Sequence, residues 1–111
     1  MNPDTFILGG LCLGSSLNKS DSLIFLDKAY KLGIRNIDTG SLYGNGQSEE
    51  IISCFNRSSN KKFKIHTKIG LIKKIRSDNS FGVDLASLTP EYIEKAIKKS
   101  LHTCKVDNLE K

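Results

Sequence analysis

The segment from Gly33 to Glu49 constrains the fold of this chain more than any other. An amphipathic run ends at Gly33, a short apolar stretch follows over 34–37, and Asp38 then opens a glycine-rich polar loop that contains Tyr43. Glycine after an amphipathic run is typical of a helix end, where a positive φ is needed. A carboxylate at the end of a buried strand, followed by a flexible loop, is how α/β folds build active sites. The segment therefore predicts a helix, a strand and a site-bearing loop, in that order.

The rest of the chain repeats this alternation of strand and helix patterns. The patterns predict strands at about 8–13, 34–38 and 63–69, and helices at about 21–32, 48–55 and 90–104. Thr89 and Pro90 form a typical start for the third helix, and Ser48 is predicted to cap the second. The stretch 71–88 reads as a long loop, and 106–111 as the beginning of a fourth strand. Alternation of this kind predicts an α/β fold with a parallel sheet and right-handed crossovers.

Composition and charge limit the classes of function. The net charge of +5 comes mostly from lysines scattered along 111 residues, whereas a nucleic-acid binder more often has a concentrated basic stripe. Three cysteines, Cys12, Cys54 and Cys104, lack C-x-x-C spacing and are predicted to be buried thiols in a reducing compartment, with no metal bound. No apolar run approaches the roughly 18 residues of a membrane span, and no signal-peptide pattern opens the chain. We therefore expect a cytoplasmic protein with neither nucleic acid nor membrane as its partner.

Three residues form a candidate catalytic group. Asp38 ends the second predicted strand, Tyr43 lies in the loop after it, and Lys68 lies near the end of the third. Because neighbouring parallel strands are about 5 Å apart, Asp38 and Lys68 can meet at one edge of the sheet. A lysine beside a phenol lowers the tyrosine pKa from about 10 toward the working range. The hypothesis is a general acid that protonates an alkoxide forming from a carbonyl, although such a spacing of three residues also occurs by chance.

Several segments occur in an order that is typical of one family: Gly33 to Thr39, Tyr43-Gly44, Ser48-Glu49, Thr67 to Gly70, and 96–107. In these segments the chain resembles the aldo/keto reductase family, and the likeness extends from Leu11 to about Leu109. The resemblance implies that residues 1–111 are the amino-terminal portion of an incomplete (β/α)8 TIM barrel. That portion comprises roughly the first three βα units and the start of strand four.

The resemblance also implies an activity and its residues. Members of the family reduce aldehydes and ketones to alcohols with NADPH, or with NADH as the alternative. It implies that Tyr43 is the proton donor, that Lys68 lowers the pKa of Tyr43, and that Asp38 is the partner of Lys68. Gly14 and Ser15 match positions near the nicotinamide end of the cofactor, and together with Asp38 they are the predicted cofactor-binding residues.

Departures from the family pattern leave other functions open. The family's fourth catalytic residue, a histidine that ends strand four, falls after the last residue of this sequence, as do the segments that bind the cofactor phosphates. Gly40 stands where the family usually has alanine, a change expected to loosen the loop. His66 replaces a small residue, and we expect it to be a packed, hydrogen-bonded core histidine on the same side of its strand as Lys68.

Two alternatives to the reductase hypothesis remain on the sequence alone. The first is a truncated remnant without catalysis, for which cofactor-free and partly unfolded behaviour is expected. The second is a small basic binding protein, for which salt-sensitive binding to nucleic acid is expected. Unclosed sheet edges also predict self-association of the chain.

Overall fold

The computed structural model of the chain describes Asn2, residues 5–70 and residues 88–105. Three strands alternate with three helices along these ranges. In chain order they are β1 (Ile7–Gly9), α1 (Lys19–Lys31), β2 (Asn36–Asp38), α2 (Gln47–Ser58), β3 (Lys64–His66) and α3 (Pro90–Cys104). A short 3₁₀ turn, Tyr43–Gly46, leads directly into α2. The long loop predicted at 71–88 lies outside the described residues except for its last residue, and the predicted start of a fourth strand lies wholly outside them.

The three strands form one parallel sheet in the order β1-β2-β3. Leu8 is opposite Ile37, and Ile37 is opposite Ile65, so the strands are in register at their centres. Gly9, Asp38 and His66 consequently lie side by side at the carboxyl edge of the sheet. The predicted α/β fold with a parallel sheet is confirmed.

The strands are shorter than predicted, because turns and caps take the residues that flank them. The strand predicted at 8–13 ends at Gly9, and the amide of Leu13 instead donates to the carbonyl of Gly10 in a turn. The strand predicted at 34–38 begins at Asn36, because the amide of Ile34 closes the end of α1 on the carbonyl of Ala29. The strand predicted at 63–69 is limited to Lys64–His66. Apolar runs therefore overestimate strand length wherever a glycine or a cap diverts the backbone.

Side-chain caps fix two of the three helix starts. Asn18 accepts the amide of Asp21 at the start of α1, and Thr89 accepts the amide of Tyr92 at the start of α3. The prediction that Ser48 caps the second helix is wrong, because Gly46 is the N-cap residue of α2 and provides no side chain. Ser48 lies inside the first turn of α2, and its hydroxyl is fully buried.

The core lies between the sheet and the helices. Within the described ranges it contains ten buried side chains: Leu13, Leu26, Ala29, Ile37, Ile51, Ile52, Phe55, Phe63, Ile65 and Cys104. Phe63 makes an edge-on contact with Tyr30 at 5.4 Å between ring centroids and a tilted contact with Phe55 at the same separation. Aromatic pairs in these geometries add to the stabilisation that burial supplies. This cluster fixes α1 and α2 against one end of β3.

The helix α3 buries less of its apolar face than its spacing predicts. Ser100 and Cys104 are buried, whereas Ile93 and Ile97 are 41% and 43% exposed. The prediction of three buried thiols is likewise only partly right: Cys104 is buried, but Cys12 and Cys54 are half-buried, and all three are free. No helix within the described ranges combines the length and the hydropathy that a membrane span requires.

Candidate active site

The carboxyl edge of the sheet brings Asp38 and Lys68 together, as the sequence predicts. Nζ of Lys68 lies 2.8 Å from Oδ1 of Asp38, and both side chains are about half exposed, at 49%. Backbone hydrogen bonds continue the sheet beyond the strands, since the amide of Thr39 donates to the carbonyl of His66 and the amide of Ser41 donates to that of Lys68. The ion pair therefore lies at the open end of a backbone ladder that joins the segments after β2 and β3.

Tyr43 is the third predicted residue, and it lies next to this pair. Nζ of Lys68 is 5.0 Å from the centroid of the Tyr43 ring. Partial burial lowers the pKa of Lys68, but hydrogen bonds to Asp38 and then Tyr43, with the charges of both groups, outweigh burial and raise it above the ordinary 10.5. Lys68 is therefore a cation at neutral pH. The arrangement places a permanent positive charge beside a phenol, which is the chemistry a proton donor needs.

Two glycines allow the tyrosine loop to pack closely. A side chain at Gly40 would bring its Cβ to 3.0 Å from two carbon atoms of the Tyr43 ring, so the ring lies directly over the backbone there. Gly44 has a φ of 60°, and a Cβ at this position would lie 2.5 Å from the carbonyl oxygen of Leu13. The tyrosine loop and the loop after β1 are therefore in backbone contact. The missing side chain of Gly40 leaves room for the ring, and the expectation that Gly40 loosens the loop stays a prediction.

A cleft of about 920 Å³ opens where these two loops meet. Gly14 and Ser15, predicted to bind the cofactor, line this cleft together with Tyr43. Gly14 has a φ of 75°, and a Cβ there would lie 2.6 Å from Cβ of Gln47, so only glycine fits between the loop and α2. Three of the five predicted site residues, Gly14, Ser15 and Tyr43, line this cleft. Lys68 lines a smaller neighbouring pocket that also includes Tyr43. Asp38 joins them through its ion pair with Lys68.

A buried hydroxyl network behind Asp38 was not predicted from the sequence. The side-chain oxygens of Thr39 and Ser48 are 2.7 Å apart, and the hydroxyl of Ser48 donates to the carbonyl of Gly10 at 2.8 Å. The amide of Gly10 in turn donates to the carbonyl of Asp38. These contacts join α2 to the ends of β1 and β2. Ser48 was interpreted as a helix cap, and nothing in its sequence neighbourhood signals a partner 38 residues away.

A second buried contact lies behind Lys68. Glu49 is only 3% exposed, and its Oε1 accepts a hydrogen bond of 2.6 Å from the hydroxyl of Thr67. Its Oε2 lies 3.4 Å from the hydroxyl of Ser100 on α3, which donates to it. Glu49 was expected only to favour the helix start by its charge. Its burial places a carboxylate in the layer between the sheet and the helices.

His66 lies below the ion pair, on β3. Its Nε2 is 3.1 Å from Oδ1 of Asn36 on the neighbouring strand, and the ring is half-buried, so the hydrogen bond expected for this histidine is present. Among residues 5–70 and 88–105, no three His, Cys, Asp or Glu side chains come close enough to hold a metal ion.

Comparison with known proteins gives the family. The profile of the Aldo/keto reductase family matches residues 5–110. The uncharacterized oxidoreductase YqkF of Bacillus subtilis (strain 168) is 34% identical, over 93% of this chain and 32% of that protein. The aldo-keto reductase AMT2 of Alternaria alternata is 32% identical, over 78% of this chain and 28% of its own length. The chain therefore spans about a third of the length of the curated relatives it matches.

Solved structures give the same answer for the fold. The glycerol dehydrogenase AKR11B4 from Gluconobacter oxydans matches with a TM-score of 0.76 at 26% identity, covering 94% of this chain and 33% of that one. The holo form of the aldo-keto reductase AKR11C1 from Bacillus halodurans matches with a TM-score of 0.73 and a similar coverage, 93% and 33%. The predicted fold class, an incomplete (β/α)8 TIM barrel, is confirmed. From the profile match and the relatives, we conclude that the chain belongs to the aldo/keto reductase family.

Proposed function

We propose that this chain carries the proton-transfer residues of an NADPH-dependent oxidoreductase that reduces aldehydes and ketones to alcohols. The observation that carries the proposal is the position of Lys68, whose ammonium group is 2.8 Å from Asp38 and 5.0 Å from the ring centroid of Tyr43. Family membership supports an oxidoreductase. The identity of the cofactor, the carbonyl substrate and the roles of the three residues belong to the proposal.

In the proposed reaction Tyr43 is the general acid. Its hydroxyl gives a proton to the carbonyl oxygen as negative charge develops there. Lys68 favours this transfer because its positive charge stabilises the phenolate that remains. Asp38 holds the ammonium group beside the phenol and, by its own charge, keeps it protonated. Lys68 and Asp38 therefore act on the proton held by Tyr43, and neither needs to touch the substrate.

The residues of the cleft fit the nicotinamide end of the cofactor. Gly14 leaves a surface without a side chain beside Gln47, and Ser15 and Tyr43 line the same cleft. When bound, the cofactor supplies the hydride that adds to the carbonyl carbon. We propose that Gly14, Ser15 and Asp38 contact it there, with NADPH as the preferred form and NADH as the alternative.

The complete activity belongs to the whole barrel. Because the chain spans about a third of its relatives, we propose that the remaining βα units bind the cofactor phosphates and shape the substrate pocket. We further propose that the protein acts in the cytoplasm. Exposed apolar side chains such as Ile93 and Ile97 support self-association of the 111-residue chain when it is studied alone.

The proposal is tested by replacing Tyr43. In the intact protein, Tyr43→Phe removes the proton donor and keeps the ring, so we expect NADPH-dependent reduction of an aldehyde to fall about 10² to 10⁴-fold while the Kd for NADPH changes little. Tyr30→Phe is the matched control, because Tyr30 packs in the aromatic cluster far from the cleft. Equal activity of Tyr43→Phe and wild type would remove the assignment. Binding is followed by NADPH fluorescence, which separates loss of chemistry from loss of the cofactor.

A further inference from the structure

The first turn of α2 places two consecutive residues against the ends of two different strands. Ser48 contacts Thr39 at 2.7 Å, and Glu49 contacts Thr67 at 2.6 Å. Thr39 directly follows Asp38, and Thr67 directly precedes Lys68. Each member of the exposed ion pair is therefore one residue away from a threonine that is fixed to the same helical turn.

The side chains of neighbouring residues in extended backbone point to opposite faces. Asp38 and Lys68 form their ion pair on one face of the sheet, beside Tyr43, while Thr39 and Thr67 contact α2 on the other face. Thr39 and Ser48 are fully buried, so water does not compete for their hydrogen bond. The second bond joins the half-buried hydroxyl of Thr67 to the carboxylate of Glu49, which is 3% exposed. The backbone segments that carry the ion pair on one face of the sheet are therefore held by these hydrogen bonds on the other face.

The ion pair is not able to hold this geometry by itself. Both of its side chains are half exposed, and solvent-exposed ion pairs stabilise a protein very little. The separation of Asp38 and Lys68 must then be set by the backbone that carries them. The buried carboxylate of Glu49 accepts hydrogen bonds from Thr67 and Ser100 and lies at the positive end of the α2 dipole, so it ties the backbone next to Lys68 to this helix.

We propose that Ser48 and Glu49 are positioning residues that set the distance between Asp38 and Lys68, Ser48 through Thr39 and Glu49 through Thr67. The same helical turn follows the Tyr43–Gly46 segment without a break, so it also fixes the end of the tyrosine loop. One rigid turn thereby places all three residues of the proton-transfer group. This inference rests on the roles assigned above to Asp38, Tyr43 and Lys68, but its geometry does not depend on turnover.

The test uses Thr67→Val, which keeps the shape of Thr67 and removes the hydroxyl that Glu49 accepts. Two readouts in the intact protein report on Lys68 directly: its pKa from lysine-selective NMR, and hydrogen exchange of the Ser41 amide, which donates to the Lys68 carbonyl. We expect the pKa of Lys68 to fall toward the ordinary 10.5. We expect the Ser41 amide to exchange about tenfold faster, as for the loss of one hydrogen bond.

Three further variants separate positioning from general loss of stability. Thr67→Ser restores the hydroxyl and should return both readouts to wild-type values. Ser48→Ala tests the Asp38 side, where exchange of the Thr39 amide should accelerate, and this change suits a helix interior. Ser53→Ala is the matched control, because Ser53 is a buried serine of α2 whose hydroxyl has no hydrogen-bond partner among the described residues.

The outcomes are distinct from those of the Tyr43→Phe experiment, since neither readout needs cofactor or substrate. Lower melting temperatures for Thr67→Val and Ser48→Ala, with the Lys68 pKa and both amide exchange rates unchanged, would overturn the proposal and leave a structural role only. If Thr67→Val does not fold, the proposal is decided by Ser48→Ala against Ser53→Ala. If Ser48→Ala and Ser53→Ala behave identically in all readouts, the proposal is overturned.

Discussion

Asp38 and Glu49 are two carboxylates that accept short hydrogen bonds from consecutive residues after β3, and they lie in opposite surroundings. Asp38 pairs with Lys68 at 2.8 Å and is 49% exposed, while Glu49 pairs with Thr67 at 2.6 Å and is 3% exposed. The exposed carboxylate should contribute little to stability, because solvent-exposed ion pairs are weak. The carboxylate of Glu49 is shielded from solvent, and its loss removes the acceptor of a buried hydroxyl, that of Ser100, and of a half-buried one, that of Thr67. Similar bond lengths thus occur in opposite surroundings, and only the buried carboxylate is expected to contribute much to stability.

The largest difference between the two carboxylates is expected in catalysis. Asp38→Asn removes the charge that holds Lys68 in place and raises the pKa of its ammonium group, so we expect kcat of the intact protein to fall about 100-fold. The free energy of unfolding should change by less than about 1 kcal/mol, because the pair is half exposed. Steady-state kinetics and urea denaturation of the same preparation measure both quantities. If Asp38→Asn lowers stability and activity together, Asp38 has a structural role of the kind assigned to Glu49.

Glu49→Ala tests the contribution of the buried carboxylate to stability. It removes the acceptor of Thr67 and Ser100 from a buried site, so the free energy of unfolding should fall by about 2 to 3 kcal/mol. Glu50→Ala is the matched control, because Glu50 is the exposed neighbour on the same turn and should change stability by less than about 0.5 kcal/mol. Chemical denaturation gives both values. Equal stability of the two variants would contradict the structural role of Glu49.

The smallest effect concerns alkaline pH and the buried neighbour of Glu49. Burial, and secondarily the charge of Glu49, raises the pKa of the Cys104 thiol from 9.0 to about 12. A raised pKa means that the protonated thiol stabilises the fold below pH 9.0, and that this contribution is lost as the pH rises toward about 12. Between pH 9 and pH 10 we expect the free energy of unfolding to fall by about 1 kcal/mol.

Cysteine replacements isolate that contribution. Cys104→Ala should flatten the fall of stability above pH 9, while Cys54→Ala, at a half-buried position, should leave it unchanged. Lys68 adds a loss of the same sign only above its ordinary pKa of 10.5, and its exposure keeps that loss small. An identical alkaline slope in wild type and Cys104→Ala would show that Cys104 does not cause it.

The part of the site that the sequence predicts is the group at the carboxyl edge of the sheet. Asp38 and Lys68 could be paired from sequence because parallel strands end at one edge, a rule that needs only strand order. Tyr43 followed because its loop begins at that edge. The α/β fold was predictable for the same reason, since it depends on alternating patterns that are local in the chain.

The unpredicted part is the layer behind the cleft. Ser48 and Glu49 carry typical helix-start signals, and those local signals gave them a local role. Their partners Gly10, Thr39 and Thr67 depend on where α2 lies against three strands, which no spacing encodes. The exposed Ile97 of α3 shows the same limit, because an amphipathic pattern names a face and does not say how much of it becomes buried.

The contact between Gly44 and the carbonyl oxygen of Leu13 determines how this cleft can be redesigned. A Cβ at Gly44 would lie 2.5 Å from that oxygen, so we expect any substitution at this position to require movement of the backbone at Leu13. Positions for sequence variation are better chosen at Leu11 and Leu42, one in each loop, which line the cleft. Loop grafts from relatives must likewise transfer both loops together, because their backbones are in direct contact at Gly44 and Leu13.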